Sequence, residues 1–248
     1  MRKLLVSAVV MLGLAAAQQA EVRVAVAANL RDVFIDIVRA FNQDNANIKV
    51  TPSFGSSGGF VQQITQGAPF DVFMAADTSF PQALERNNLT EPGTLRVYAK
   101  GRLALLIPNR VGLSPSSLSV LLDPKIARIA ISNPETAPYG RTAIEALQRA
   151  GLLEKLRSKL VFGQDISQAT QLILAAADAG FTAYSLTFTA SVKGQGKVWV
   201  VPERLAPPLE QAYVIIKGRN RPEVKALYDY IQGDKARTIL KAFGYQVP

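Results

Sequence analysis

Ser53-Phe54-Gly55-Ser56-Ser57-Gly58-Gly59-Phe60 places three glycines and the Ser56-Ser57 pair between two strongly patterned segments. Upstream, Ile48-Lys49-Val50-Thr51 is a short β-branched run. Downstream, Phe60, Val61 and Ile64 are spaced to lie on one face of a helix. The order is therefore strand, glycine-rich turn, helix. Such a turn brings unpaired backbone N–H groups and hydroxyl donors to one point, at the positive end of the helix dipole, which suits a small anion. An ordinary strand-to-helix turn has the same composition, so the motif needs company before it means a site.

Working outward, the stretch is the middle of a longer alternation. Val22 to Ala27 reads as a first strand, Asn29 as the N-cap of the next helix with Asp32 three places on, and Val33, Phe34, Ile37, Val38 and Phe41 as its apolar stripe. After the cradle helix, Gly67-Ala68-Pro69 ends the turn and Phe70 to Met74 is a third strand. This β-α-β-α-β order predicts a mostly parallel sheet covered on both faces by helices, with a ligand site at the carboxyl ends of the strands. A second α/β stretch follows. It comprises a fully apolar strand at Leu103 to Ile107, a strand at Ala127 to Ile131, a loop through Pro138-Tyr139-Gly140, a helix from Thr142 to Ala150 and a D-x-x-Q capping box at Asp165 and Gln168. Strands at Phe181 to Tyr184, Lys197 to Val201 and Gln211 to Lys217 and two terminal helices complete the chain. The pattern predicts two similar α/β lobes, residues 21–97 with 205–248 and residues 98–204, joined by crossings near Leu95 to Arg102 and Glu203 to Leu209, with a crevice between them.

Four places then read as loops that open helices: Ala28-Asn29, Ser56-Ser57, Pro138-Tyr139-Gly140 and Asp165-Ile166. The first turn of a helix leaves its N–H groups without intrahelical partners. Two such places come from each lobe, and closure would surround one tetrahedral oxyanion without any lysine or arginine. Hydrogen bonds to a charged group net about 1.5–3 kcal/mol each. About six of them, less the cost of ordering, are compatible with roughly micromolar to nanomolar dissociation. Read singly, the same residues have plainer roles: Asn29 and Asp165 as N-caps, Ser57 as a partner of its own turn, Tyr184 as a core aromatic, Tyr139 as a surface loop residue.

Composition narrows the classes. Of 248 residues, 28 are Lys or Arg and 19 Asp or Glu, and there is no histidine and no cysteine. Arg2 and Lys3, the apolar run Leu4 to Ala17 and the polar Gln18-Gln19 form a secretory signal over residues 1–17, with cleavage expected near Ala17. The run is shorter than the roughly 20 apolar residues that span a bilayer. The absence of cysteine leaves no disulfide and no thiol for a lipid anchor, so a free periplasmic protein is expected. The mature basic excess is diffuse and lacks the clustered stripe of a nucleic-acid binder. An exported serine hydrolase using Ser56 or Ser57 would lack both histidine and a G-x-S-x-G elbow. Without histidine, cysteine or clustered carboxylates little remains to hold zinc or iron, and no cofactor is expected.

Taken together, these residues resemble the periplasmic molybdate-binding proteins of ABC importers. The similarity runs through Val24-Ala25-Val26-Ala27-Ala28-Asn29-Leu30, Phe54-Gly55-Ser56-Ser57, Gly67 to Asp77, Asn133-Pro134-Glu135 with Pro138-Tyr139-Gly140, Asp165-Ile166, the strand bearing Tyr184, and Ala226 to Ile231 with Phe243-Gly244-Tyr245. The resemblance implies a type II periplasmic-binding-protein fold, no enzymatic activity, and a monomer that hands molybdate or tungstate to a membrane permease. Position by position, it implies an oxyanion held by Asn29 and Ser57 from one lobe and by Tyr139, the backbone N–H of Ile166 and the phenol of Tyr184 from the other. Asn29 stands where many members carry serine or threonine, and Tyr139 where some carry a small residue. A sulfate or phosphate receptor of the same fold is the alternative, and a carboxylate in the cleft would favour hydrogen phosphate. Asp165 is the one candidate for that carboxylate, and it is expected to face its own helix.

Overall fold

The computed structural model describes residues 19–248, so the expected signal at residues 1–17 lies outside the described residues. The chain forms two five-stranded sheets. It begins with β1 (Ala20–Ala27), a 3-10 turn (Ala28–Leu30), α1 (Arg31–Asp44), β2 (Ile48–Gly55), α2 (Ser57–Thr65), β3 (Val72–Met74), α3 (Ser79–Arg86) and β4 (Arg96–Gly101). The second sheet is built from β5 (Leu103–Pro108), β6 (Ile129–Ser132), α4 (Pro138–Arg149), α5 (Leu153–Leu156), β7 (Leu160–Gly163), α6 (Ile166–Ala175), β8 (Ala179–Ala183) and β9 (Gly196–Val200). The chain returns to the first sheet with β10 (Leu209–Ile215) and ends in α7 (Pro222–Tyr230) and α8 (Asp234–Ala242).

The strand orders are β2-β1-β3-β10-β4 and β7-β6-β8-β5-β9. Within each, two neighbouring pairs are parallel and two antiparallel. The sheets are therefore mixed, not mostly parallel as expected. The antiparallel strands are those at or beside the passages between the sheets, where the chain turns back instead of making a helical crossover. The outward passage is a single residue, Arg102, between β4 and β5. Arg96–Gly101 pairs with β10 in the first sheet, so the first sheet extends past residue 97.

Strand alternation sorts the core. Val24 and Val26 pack toward α1, α7 and α8, whereas Ala25 and Phe73 pack toward Phe60 and Ile64 of α2 and Leu84 of α3. In the second sheet, Leu103, Leu105 and Ile107 face α4 and α5, and Leu106 meets Ile173 of α6. Both faces of each sheet are thus covered, which is why β5 reads as an unbroken apolar run.

Three local expectations differ in detail. The turn around the serine pair is tighter than expected, because β2 continues through Pro52 to Gly55 and α2 starts at Ser57. Pro52 is tolerated because β2 is an edge strand. Pro138-Tyr139-Gly140 is the first turn of α4 and not a loop; proline at the first helical position supplies a suitable φ and lacks only an N–H that would have been unpaired. Strands β4 and β7 and helix α5 were not anticipated.

Asp71, nearly fully buried, ties the lower edge of the first sheet together. Its carboxylate accepts from the backbone N–H of Arg23 at 2.8 Å and from Arg221 Nη2 at 3.1 Å. Asp71→Ala removes a charged acceptor from two donors, and a loss of about 1.5–3 kcal/mol is expected in urea unfolding of the exported form.

Candidate functional site

The carboxyl ends of β1 and β2 and the N-termini of α2, α4 and α6 meet at one pocket. Its lining includes Ala28, Asn29, Ser56, Ser57, Tyr139 and Ile166, so four of the five expected site residues come together from elements of both sheets. The cavity is small, about 10 Å³, and Asn29, Ser57 and Tyr139 are almost completely buried.

Tyr184 is the exception. It does not line the pocket. Its ring makes an edge contact with Phe188 at 5.0 Å, lies under the Arg102 guanidinium at 4.5 Å, and sits against Gly244. A strand-end tyrosine is positioned by whatever packs behind it, and here an aromatic and a cation hold the ring aside.

The two serines divide the work that the turn requires. Ser56 is the N-cap of α2, its hydroxyl accepting from Gly59 N at 3.3 Å. Ser57 Oγ instead accepts from the backbone N–H of Ala76 at 3.0 Å. A hydroxyl has one hydrogen of its own, and accepting from Ala76 leaves that of Ser57 unspent. Asp165 caps α6 as expected, its Oδ1 accepting from Gln168 N at 2.9 Å, while Gln168 Oε1 accepts from Gln164 N at 2.6 Å. The Ile166 N–H, at the first position of that helix, has no intrahelical acceptor.

Asn29 is not a cap. The helix after it starts at Arg31 with Leu30 at the N-cap and no side-chain bond. The Asn29 amide instead meets Gln211 at 2.9 Å and the Tyr245 hydroxyl at 2.7 Å. Gln211 also meets Tyr98 Oη at 2.8 Å and Tyr139 Oη at 3.0 Å. Sequence reasoning missed Gln211, Tyr98 and Tyr245 as supports of the site. Gln211 did leave a signal, an uncharged polar residue at an inward position of a strand whose neighbours at Ala212 to Ile215 are all buried.

The elements of the two sheets touch across the pocket. Gly58 N donates to Thr136 O at 2.8 Å, Ser167 Oγ to Ala28 O at 3.0 Å, and Ser185 Oγ to Asn29 O at 3.3 Å. A Cβ on Gly58 would lie 2.9 Å from Thr136 Cα, so glycine is what allows this approach. The lining carries no lysine, arginine or histidine, and its one carboxylate is engaged as a helix cap. No group of three or more potential metal-ligating side chains occurs among the described residues.

A mixed α/β fold with a neutral, donor-rich pocket at converging helix N-termini is the arrangement of a solute-binding protein. Residues 22–246 match the family model of bacterial extracellular solute-binding proteins. The chain is 42% identical over 232 residues to the molybdate-binding protein ModA of Azotobacter vinelandii, covering 93% of this chain and 91% of that one. It is 38% identical to ModA of Rhodobacter capsulatus over 91% of this chain and 88% of the relative. The solved structure of the Azotobacter vinelandii periplasmic molybdate-binding protein superposes with a TM-score of 0.85 at 33% identity, covering 92% of this chain and 99% of that one. The chain belongs to the ModA family of extracellular solute-binding proteins.

Burial pushes the phenols of Tyr98, Tyr139 and Tyr245 well above the usual tyrosine value. Each stays protonated, and able to donate, through the physiological range. The folded state holds these protons more tightly than the unfolded chain, so their contribution to stability is intact below about pH 10, the ordinary tyrosine value, and declines as pH rises above it toward the folded values. Urea midpoints are expected to change little between pH 7 and 9 on this account and to fall steeply above pH 10.

Proposed function

We propose that the chain is an extracytoplasmic receptor that captures molybdate or tungstate and delivers it to the permease of an ABC transporter. The observation that carries this reading is the convergence of three helix N-termini and the free hydrogen of Ser57 on a pocket without a cation. Such a shell suits a fully deprotonated dianion, whose charge is spread over four oxygens that each accept hydrogen bonds. Asn29, Ser57, Tyr139 and the N–H of Ile166 form the shell in this reading, and Tyr184, held aside by Phe188 and Arg102, stands outside it. Hydrogen phosphate brings a proton that needs an acceptor, and the Asp165 carboxylate is already engaged with Gln168 N.

The two sheets act as two lobes, nominally residues 21–97 with 205–248 and residues 98–204, with the first lobe reaching Gly101 because β4 pairs with β10. The short Arg102 passage supports a hinge. Ligand that bridges both lobes favours the closed arrangement by its differential affinity for it. The receptor works as a monomer, exported by the signal at residues 1–17 and cleaved near Ala17.

Calorimetric titration of the exported form with molybdate, tungstate, sulfate and phosphate at equal ionic strength tests the reading. Submicromolar molybdate and tungstate, with the other two at least roughly a hundredfold weaker, is the expected result. Tight sulfate or phosphate would overturn the substrate, and no binding at all would overturn the receptor. Ser57→Ala should weaken molybdate by about 1–3 kcal/mol; an unchanged affinity would take Ser57 out of the shell.

A further inference from the structure

Arg141 stands in the first turn of α4, two residues past Tyr139, and its guanidinium reaches from the second sheet's part of the chain to the first. Its Nη2 lies 3.7 Å from Asp77 Oδ2, and its Cζ lies 5.4 Å from the centre of the Phe80 ring in α3. Every other ion pair among the described residues joins two side chains that belong to the same sheet and its helices. Beside it, Gly58 N donates to Thr136 O at 2.8 Å, and a Cβ on Gly58 would meet both Thr136 and the Phe80 ring. Gly58, Asp77 and Phe80 thus form one face, and Thr136 and Arg141 the face that meets it.

The carboxylate is set in place by its own side of the cleft. Asp77 Oδ2 accepts from Ser79 Oγ at 2.8 Å and Oδ1 from Phe80 N at 3.2 Å. Its direction is therefore fixed without Arg141. Parting the lobes would take the guanidinium from Asp77 and from the ring at once, so this pairing belongs to the closed arrangement alone. A contact that forms only on closing raises the closed population and slows reopening, and it leaves the first encounter with the ligand untouched. The Arg141 side chain is 42% exposed and that of Asp77 17%, which makes the contact a modest one, easily made and released.

We propose that Arg141, Asp77 and Phe80 are a latch that holds the lobes closed over the anion and so sets how long the ligand stays. This rests on the two-lobed receptor reading above. Arg141 has a plainer role available, since a cation two residues from Tyr139 attracts an anion whatever Asp77 does. The two roles differ in sign at Asp77. If only the fields of the two side chains acted, removing the Asp77 charge would remove a repulsion and slow the anion's departure. In a latch the same change speeds it.

Stopped-flow kinetics of the exported form with molybdate separate the two. Arg141→Gln and Asp77→Asn, which keeps an oxygen for Phe80 N, should each raise the dissociation rate about threefold to tenfold and leave the association rate within about twofold. The double variant has the net charge of the wild type and should dissociate no faster than the faster single variant. Unchanged or slower dissociation in Asp77→Asn, or fully additive effects in the double variant, would overturn the latch. Wild-type protein that binds none of the oxyanions would overturn the receptor reading by itself. The latch would then be decided on ligand-free protein. The chain has no cysteine, so cysteines placed at exposed Gln82 in α3 and Gln148 in α4 can carry spin labels. Pulsed electron resonance should show longer distances gaining population in both single variants, and an unchanged distribution would overturn the latch there.

Discussion

Every helix begins with N–H groups that its own backbone cannot satisfy, and three helices of this protein begin at one buried place. Burying such donors is costly unless something accepts from them. The surrounding structure meets part of that demand: Ser56 takes Gly59 N, Asp165 takes Gln168 N, and Thr136 O takes Gly58 N. What is left over, chiefly the Ile166 N–H and the Ser57 hydroxyl, is the recognition surface in the proposed function. An anion that completes the set recovers the cost in one event, and it does so best when elements of both sheets reach it together.

The sheets exist to bring those helix starts together. Repeating one strand arrangement twice and passing between the copies through a single residue, Arg102, puts the carboxyl ends of β1 and β2 opposite the starts of α4 and α6. Two glycines then permit contacts that side chains would forbid, Gly58 against Thr136 and Gly101 beside Tyr139 and Gln211. Neither has a positive φ. Their use here is the missing Cβ and not conformational freedom.

Behind the pocket lies a layer of neutral polar groups, Gln211 with three tyrosines, where a charged pair would have been conceivable. Neutral partners avoid the desolvation cost of a buried ion and leave the field in the pocket to the helix starts.

Local chemistry made much of this legible from the sequence alone. Alternating apolar patterns marked most strands and helices, Asp165 and Gln168 announced their own capping box, and the serine–glycine stretch marked the start of α2, because each of these features is decided by residues within one turn or one strand. Resemblance added Asn29, Ser57, Tyr139, Ile166 and Tyr184 as a set, of which the first four line one pocket. Tertiary structure decided the rest. Asn29 looks like a cap and is instead held by Gln211 and Tyr245, residues 182 and 216 positions away. Tyr184 looks like a donor and is drawn aside by Phe188 and Arg102. Strand β4 reads as a crossing and becomes part of a sheet once β10 returns to pair with it. A side chain's partner is fixed by what folds against it, and over such separations no local pattern specifies which group that will be.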